Sequence, residues 1–370
     1  METIRALTRL DRLFLARAYE LAARGIGSPS PNPPVGAVIV RDGRIVGEGY
    51  HHRAGGAHAE VNALAQAGEL ARGATLYVSL EPCNHVGATP PCTRALIDAG
   101  IVRIVVGTID PNPRTDGRGI AALHERGIEV EVAEDPRAKE LIEIFAGSIE
   151  LQRPYVSLKM AMSIDGAITS KSGVQEWITS EAWRSYVREL RIAHDAVMVG
   201  AGTVRVDDPQ LTVRPAHHRL RPYVRVVACE TDTVPESSRV FETVEDYERT
   251  IVLAPAGLRD RFERLNAVAR VLFVGDDGDR LLDLTRATHS LREEGIYSVL
   301  CEGGPTLAAR LIAARLVDRC YWAIAPVFLQ GNGAVPVLAG AELAALDRKL
   351  CVDRVLRAGE DVVLSGTFVR

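Results

Sequence analysis

Hydrophobic and polar positions divide the first 150 residues into alternating helices and strands. In the second helix, predicted at residues 58–71, the side chains of Val61, Leu64, Ala65 and Leu70 are expected to face the core. Helices are predicted at 11–24, 58–71, 93–99, 119–126 and 136–149, and strands at 37–40, 44–49, 75–80, 102–107 and 128–132. This order predicts an α/β/α unit around a mostly parallel sheet that is covered on both faces.

A second alternation of the same kind begins at Tyr155 and continues through the rest of the chain. Strands are predicted at 155–161, 195–200, 224–228, 250–254, 270–274, 296–301 and 319–325, and helices at 180–193, 257–268, 279–294 and 306–315. The first alternation closes near Gln152-Arg153-Pro154. We therefore predict two α/β domains, residues 1–152 and 153–370, which is also the domain count that a length of 370 residues favours.

Composition narrows the class of protein. Hydrophobic residues make up 47% and charged residues 25% of the chain, which is ordinary for a soluble globular protein. A net charge of −4 and an aromatic content of 5% give no support for a nucleic-acid partner. The N-terminal stretch lacks a signal-peptide core, and no apolar run has the length of a membrane span. Six cysteines without a disulfide-like spacing suit a reducing cytoplasm, so a cytoplasmic protein without membrane contact is predicted.

One group of residues in the first half has the composition of a catalytic zinc site. His58, Cys83 and Cys92 offer an imidazole and two thiolates, which leaves the fourth tetrahedral position for water. Glu60 stands two residues after the histidine, where a carboxylate can carry the proton of that water. These are the signatures of zinc deaminases, with the loop between the cysteines enlarged to eight residues. Each residue alone is more often structural, but the complete set favours zinc.

The second half has polar clusters at predicted strand ends, where open α/β sheets bind ligands. In Glu302-Gly303-Gly304-Pro305, the glycines allow the backbone to approach a ligand closely and the proline suits the first position of a helix. The free N–H groups of such a helix start can bind phosphate. The segment lacks the G-x-G-x-x-G fingerprint, and taken alone it is equally compatible with a simple turn.

Nearly the whole chain resembles the family of bifunctional riboflavin-biosynthesis deaminase–reductases. The resemblance is carried by the stretches SPNPPVGAVIV, GEGYHHRAG, HAEVNAL, YVSLEPCNHVGATPPC, DPNPRTDGRG, LKMAMSIDG, WITS, VGAGTVRVDDPQLTVR and CEGGPTLA. It implies a zinc-dependent, cytidine-deaminase-like α/β/α domain and an NADPH-dependent, dihydrofolate-reductase-like α/β domain. The implied reactions are hydrolytic deamination of 2,5-diamino-6-(5-phosphoribosylamino)pyrimidin-4-one and subsequent reduction of its ribosyl group to ribityl.

The resemblance also implies roles for individual residues. It assigns His58, Cys83 and Cys92 as zinc ligands, Glu60 as the catalytic proton carrier, and Asn32, His51 and His85 as neighbours of the pyrimidine. In the second domain it implies cofactor contacts for Lys159, Ala161, Trp177, Thr203, Asp207, Gly304, Pro305, Thr306 and Leu307, with the cofactor segment running on to Arg310. Substrate contacts are implied for Arg191, Leu211, Arg214 and Glu302, and the two arginines have the planar donor groups that suit a phosphate.

The chain departs from the family pattern in at least three places. Ala88 stands where a basic residue is usual, Gln175 where a serine is usual, and Cys229-Glu230 where aspartate followed by serine or threonine is usual. These departures leave open a pathway paralogue that acts on a related aminopyrimidine, with the deaminase intact and the reductase weak or inactive. Those at Gln175 and Glu230 also leave open a second half that is not catalytic. A base deaminase acting on nucleic acid is a further alternative, but it would need a basic channel and aromatic side chains, which the net charge and the aromatic content do not support. A homo-oligomer, dimer or tetramer, is expected, with a small-molecule substrate.

Overall fold

A computed structural model describes residues 7–87, 90–219, 221–231, 233–329, 331–340 and 349–369. The chain folds into two compact units, Met1–Gln152 and Arg153–Arg370. Both units combine α-helices and β-strands around an extended sheet, so the α/β class predicted for each half is confirmed. Among the described helices, none combines the length and the apolar character that crossing a membrane requires.

The first unit is built on a five-stranded sheet with the order β2-β1-β3-β4-β5. Its strands are β1 (Gly36–Arg41), β2 (Arg44–Tyr50), β3 (Thr75–Val78), β4 (Arg103–Val106) and β5 (Glu129–Val132). Its helices are α1 (Arg9–Ala23), α2 (Ala59–Ala67), α3 (Cys92–Ala99), α4 (Arg118–His124), α5 (Pro136–Leu141) and α6 (Glu143–Leu151). Strands β3, β4 and β5 are parallel, but β1 runs antiparallel to both of its neighbours, so the sheet is only partly of the parallel type predicted.

Helices cover both faces of this sheet. Helix α1 and α5 pack on one face, against side chains such as Val38 and Val105. Helices α2, α3 and α4 pack on the other face, against Ile39 and Ile104. Because successive side chains of a strand point to opposite faces, these neighbouring residues serve the two different cores. The arrangement brings the N-terminal ends of α2 and α3 to one side of the unit.

Helix α2 lies unusually close to strand β2, and the residues that face the sheet are alanines. Ala59, Ala63 and Ala67 are buried, and an added Cβ at Gly47 or Gly49 would lie within 2.5 Å of a carbonyl oxygen of the helix. The predicted inward face was therefore wrong: Leu70 is exposed and lies in a 3₁₀ turn after the helix, Ala65 is exposed, and Val61 and Leu64 are only partly buried. Close contact between glycine and alanine leaves no room for the larger side chains on that face.

The second unit is built on a nine-stranded sheet with the order β11-β10-β9-β8-β12-β6-β13-β16-β15. Its strands are β6 (Tyr155–Ser163), β7 (Ala167–Thr169), β8 (Ala196–Gly200), β9 (Val224–Ala228), β10 (Ile251–Pro255), β11 (Arg270–Val274), β12 (Ser298–Cys301), β13 (Arg319–Ala325), β14 (Val335–Pro336), β15 (Leu350–Ala358) and β16 (Asp361–Phe368). Its helices are α7 (Glu181–Ala193), α8 (Ala201–Asp207), α9 (Arg259–Phe262), α10 (Leu284–Glu293) and α11 (Pro305–Ala313). The strands from β11 to β13 are parallel, and β7 pairs with β14 in a separate ribbon.

Several elements of the second unit differ from the prediction. Strands β15 and β16 form an antiparallel hairpin that was not predicted, and β15 is mostly exposed, so its residues carry little of the burial pattern used to find strands. Only Arg259–Phe262 of the predicted helix 257–268 is α-helical, with 3₁₀ turns on both sides. Helix α10 begins five residues later than predicted because the Asp283 side chain caps it, accepting from the N–H groups of Thr285 and Arg286.

Candidate active sites

Three side chains of the first unit converge as a candidate metal centre. His58, Cys83 and Cys92 each offer one ligand atom, and these atoms lie within 4.8 Å of one another. Nδ1 of His58 is 3.6 Å from Sγ of Cys83 and 3.2 Å from Sγ of Cys92. Tetrahedral zinc with ordinary Zn–S and Zn–N bonds places such atoms about 3.5 Å apart. The distances from His58 to the two sulfurs therefore match a zinc site, and no fourth protein ligand is found among the described residues.

Local structure determines the position of each ligand. His58 is the N-cap residue of α2, Cys83 follows β3, and Cys92 is the first residue of α3. The backbone N–H of Cys92 donates to Sγ of Cys83 at 3.4 Å, and the N–H of Thr93 donates to the Cys83 carbonyl at 3.2 Å. The positive ends of two helix dipoles thus lie at the centre, and both favour thiolate over thiol.

Glu60 lies in the first turn of α2, two residues after His58, and its side chain is buried. Burial raises the pKa of Glu60 to about 6. The thiols interact strongly, because a hydrogen bond with Cys92 lowers the pKa of Cys83 to about 4 and the same bond raises the pKa of Cys92. One of the two cysteines is thus readily deprotonated before any ligand binds, and zinc binding would release the second proton.

Two of the predicted substrate neighbours lie directly beside this centre. Nε2 of His51 is 3.1 Å from the side-chain amide of Asn32, and Nδ1 is 3.0 Å from the carbonyl of Ala57. Because the carbonyl can only accept, Nδ1 carries the proton and Nε2 accepts from Asn32. Burial lowers the pKa of His51, which favours this neutral tautomer. The rings of His51 and His58 are 4.9 Å apart, edge to face.

The loop between the two cysteines contains His85, the third predicted neighbour of the pyrimidine. Its Nδ1 is buried and has no hydrogen-bond partner among the described residues. A buried polar atom in this state costs free energy unless a ligand or water satisfies it. Ala88, the first departure from the family pattern, lies outside the described residues.

Glu81 has a role that the sequence analysis did not identify. Its buried carboxylate accepts hydrogen bonds from the backbone N–H groups of Asp110, Gly117, Gly119 and Ile120, at 2.9 to 3.3 Å. These bonds hold the loop after β4 and the start of α4 next to the segment that carries Cys83. The sequence signal was the charged residue immediately before Pro82-Cys83, at the end of an apolar strand.

The second unit contains a cavity of about 680 Å³. It is lined by thirteen residues to which the resemblance assigned cofactor or substrate contacts: Lys159, Ala161, Trp177, Arg191, Thr203, Asp207, Leu211, Arg214, Glu302, Gly304, Pro305, Thr306 and Leu307. The rest of the implied cofactor segment, residues 308–310, does not line it. The cavity has the size of pockets that hold extended organic ligands. Two further residues of α7, Arg184 and Arg188, line it together with Arg191, and their helical spacing could have identified them.

Chain topology places this cavity where an open parallel sheet has its natural binding crevice. Strands β8 and β12 are neighbours, but the helices that follow them leave in opposite directions, α8 towards one core and α11 towards the other. Gly303 has a φ of +91°, which only glycine adopts readily, and the N–H of Gly304 donates to Oγ1 of Thr203 at 3.2 Å. The first turn of α11 thus lines the crevice, an arrangement that suits the pyrophosphate of a dinucleotide.

Charged side chains form a network on the β6 and β12 side of the crevice. Arg191 donates to both carboxylate oxygens of Glu302, at 2.5 and 2.9 Å, and to the carbonyl of Thr212 at 2.6 Å. Nζ of Lys159 lies 3.9 Å from the same carboxylate. The planar group of Arg191 is therefore engaged with Glu302, whereas Arg214 is exposed, with no ion pair or hydrogen bond found in the described part of the chain. Of the two arginines, Arg214 is better placed to bind a phosphate.

The pKa values in this network move in different directions. Burial lowers the pKa of Lys159 and raises that of Asp207. Burial also acts to raise the pKa of Glu302, but Arg191 and Lys159 outweigh it and hold that pKa below its ordinary value. Leu211 has a φ of +55°, a left-handed conformation that is strained for leucine and is typical of binding sites. The cavity thus combines Glu302, whose pKa is lowered, with Asp207, whose pKa is raised.

The two remaining departures from the family pattern both concern this cavity. Gln175 is exposed and lines it near Trp177. Cys229 is fully buried, whereas Glu230 lines the cavity and forms an ion pair with Arg310 of α11. Arg310, at the end of the implied cofactor segment, is thus turned towards Glu230.

Comparisons with known proteins cover both units. Residues 8–108 match the cytidine and deoxycytidylate deaminase zinc-binding region, and residues 154–364 match the RibD C-terminal domain. The chain is 40% identical over 361 residues to the riboflavin biosynthesis protein RibD of Aquifex aeolicus, covering 97% of this chain and 98% of that protein. It is 39% identical to RibD of Escherichia coli over 369 residues, covering 96% and 98%.

Solved structures give the same result. The structure of Acinetobacter baumannii RibD is similar with a TM-score of 0.83 and 35% identity, covering 98% of this chain and 99% of that one. The diaminohydroxyphosphoribosylaminopyrimidine deaminase/5-amino-6-(5-phosphoribosylamino)uracil reductase of Thermotoga maritima is similar with a TM-score of 0.81 and 34% identity, covering 97% and 98%. The similarity therefore extends through both units.

Proposed function

The chain belongs to the RibD family of riboflavin-biosynthesis enzymes, and on this premise we propose how its two units divide the work. It is a bifunctional deaminase and reductase of riboflavin biosynthesis. The first unit deaminates 2,5-diamino-6-(5-phosphoribosylamino)pyrimidin-4-one by hydrolysis, and the second reduces the ribosyl group of the product to ribityl. The pathway paralogue with a weak reductase is not favoured, because the similarity extends over nearly the whole chain.

The observation that carries the deaminase proposal is the convergence of three metal-binding side chains beside one buried carboxylate. Zinc bound by His58, Cys83 and Cys92 would supply a water that is nucleophilic at neutral pH. Glu60 takes a proton from the attacking water and passes protons to the ring nitrogen and the leaving amine, so that water and the amino group become a carbonyl and ammonia. Its raised pKa suits a group that must both accept and donate near neutrality.

Other residues of the first unit would orient the pyrimidine. Neutral His51, held by Asn32 and Ala57, presents a fixed ring face beside the metal ligands. His85 has a buried nitrogen that a polar group of the substrate could satisfy. Glu81 supports this site indirectly, because it holds the neighbouring loop through four backbone hydrogen bonds.

The cavity of the second unit supports binding of a nicotinamide dinucleotide, and the resemblance implies NADPH. A reduced nicotinamide supplies a hydride when it is bound. Opening of the ribose ring then requires a proton on the ring oxygen. Asp207 is the better proton donor because burial raises its pKa, whereas ionised Glu302, fixed by Arg191, is suited to accept hydrogen bonds from ribose hydroxyls. Arg214 would bind the phosphate of the substrate.

The test is a mass analysis of the products formed from the phosphoribosyl diaminopyrimidine. Without reduced dinucleotide, we expect one equivalent of ammonia and the deaminated ribosyl compound. With reduced dinucleotide, we expect the ribityl compound, two hydrogens heavier, with an equal loss of dinucleotide absorbance. Unchanged substrate would refute the deaminase proposal, and a ribosyl product that persists with either NADPH or NADH would refute the reductase proposal. The expected homo-oligomer and the cytoplasmic location remain predictions.

A further inference from the structure

The crevice of the second unit has a definite order along the edge of the sheet. Lys159 on β6 and Glu302 after β12 form the charged network at one side. The N-terminus of α11, where Gly304 lines the cavity, lies beside β8, and Glu230 follows β9 on the far side. Neighbouring strands are about 4.8 Å apart, so Glu230 lies two strand spacings from β12.

This order orients a dinucleotide. If the nicotinamide reacts beside the charged network and the pyrophosphate binds at the start of α11, the adenosine ribose extends towards β9 and Glu230. An acidic residue at such a strand end accepts hydrogen bonds from the 2′ and 3′ hydroxyls of an adenosine ribose. The same carboxylate repels a 2′-phosphate, which carries nearly two negative charges at neutral pH.

The partner of Glu230 strengthens this discrimination. Arg310 donates through Nη1 to Oε1 of Glu230 and through Nη2 to the carbonyl of Leu282 at 2.7 Å. The side chains of Glu230 and Arg310 are 30% and 29% exposed respectively, so both are accessible from solvent yet partly fixed. A guanidinium that would otherwise be a good ligand for a 2′-phosphate is therefore engaged with a carboxylate.

We propose that Glu230, held by Arg310, removes the usual advantage of the 2′-phosphate, so that the second unit binds NADH at least as tightly as NADPH. The inference rests on the proposed reductase function and specifies its cofactor. Arg205 also lines the cavity, and its Nη1 donates to the carbonyl of Thr233 at 3.3 Å. Arg205 could therefore bind a 2′-phosphate in place of Arg310, and the experiment must distinguish the two arginines.

The experiment measures dissociation constants of NADH and NADPH by calorimetry, for the full-length protein and for Glu230→Ser. The substitution removes the negative charge and leaves Arg310 available, so we expect NADPH to bind about tenfold tighter or more while NADH changes little or weakens. This gain in NADPH affinity should decrease with rising salt concentration. In the double variant E230S/R310L the gain should disappear, because the guanidinium that produces it is absent.

The matched control is Glu236→Ser, which removes a glutamate of the same connection that pairs with Arg264 and does not line the cavity. It should leave both constants unchanged. A wild-type protein that binds NADPH more tightly than NADH would overturn the inference, as would a ratio of the two dissociation constants that Glu230→Ser leaves unchanged. A preference for NADPH that is lost in Arg205→Leu would assign the 2′-phosphate to Arg205 and also overturn it. If neither dinucleotide binds, the reductase proposal itself fails.

Discussion

At the residue scale, the first unit depends on the different environments of a few ionisable side chains. Cys83 and Cys92 bind a metal as thiolates, and the N-termini of two helices favour the thiolate form; the pKa of Cys83 is lowered to about 4 by its hydrogen bond with Cys92. Glu60 is in the opposite situation, because burial favours its protonated form. One small volume thus contains a thiol that releases its proton readily and a carboxylate that tends to retain one, and the carboxylate is suited to acid–base catalysis beside a metal.

Replacement of Glu60 by glutamine should separate metal binding from catalysis. The amide keeps the shape of the side chain but cannot transfer protons, so we expect kcat for ammonia release to fall by about 10²- to 10⁴-fold. Zinc content, measured by mass spectrometry of the metal, should stay at one equivalent. Glu69→Gln, an exposed glutamate in the turn after the same helix, serves as the control and should retain full activity. Full activity in Glu60→Gln would exclude the assigned role.

At the element scale, the position of α2 decides whether the metal site can form. This helix carries Glu60 and begins at His58, and it rests on β2 through alanines that face glycines. At Gly49 an added Cβ would lie 2.5 Å from the carbonyl oxygen of Ala59. Because the atom that it would meet belongs to the backbone, the contact cannot be relieved without moving the helix. The small residues of β2 therefore control the distance between the helix and the sheet.

We therefore expect Gly49→Ala to destabilise the first unit by about 1 to 3 kcal/mol and to weaken zinc binding. All three tryptophans of the chain lie in the second unit, at positions 177, 183 and 322. Unfolding of the two units in urea can thus be followed separately, by zinc release for the first unit and by tryptophan fluorescence for the second. Gly87→Ala is the control, because a Cβ there meets no atom within 4 Å. Equal zinc release in both variants would contradict the packing argument.

At the scale of the whole molecule, the two reactions depend on different units. The described residues contain one candidate metal cluster, and it lies in the first unit. The cavity lined by Lys159, Asp207 and Glu302 belongs to the second unit alone. Each unit has its own sheet and its own hydrophobic cores. The chain therefore combines two catalytic domains with separate chemical requirements.

Metal removal should consequently affect only one of the two activities. After treatment with 1,10-phenanthroline and removal of the chelator, we expect ammonia release to be lost and to return when zinc is added. Oxidation of the reduced dinucleotide with the deaminated substrate should continue at its original rate. Loss of both activities, followed by recovery of both when zinc is added, would show instead that the second unit also needs zinc.

Much of the catalytic chemistry could be predicted from the sequence because it depends on residue type and spacing along the chain. The set His58, Glu60, Cys83 and Cys92 indicates zinc by its composition and order alone, since few other chemistries use these residues together. The alternation of apolar and polar positions likewise predicted two α/β units. Both patterns involve residues that are close together along the chain, so they can be recognised without the tertiary structure.

Only the tertiary structure decided which faces are buried and which charges meet. The burial of alanines rather than Leu64 on the sheet-facing side of α2 depends on glycines in strand β2. The pairing of Arg191 with Glu302 joins residues 111 positions apart, and that of Glu230 with Arg310 joins residues 80 positions apart. Such contacts depend on how strands are ordered in the sheet, which no local pattern encodes. The sequence by itself thus determined the kinds of chemistry available, and the fold decided which groups are free to perform it.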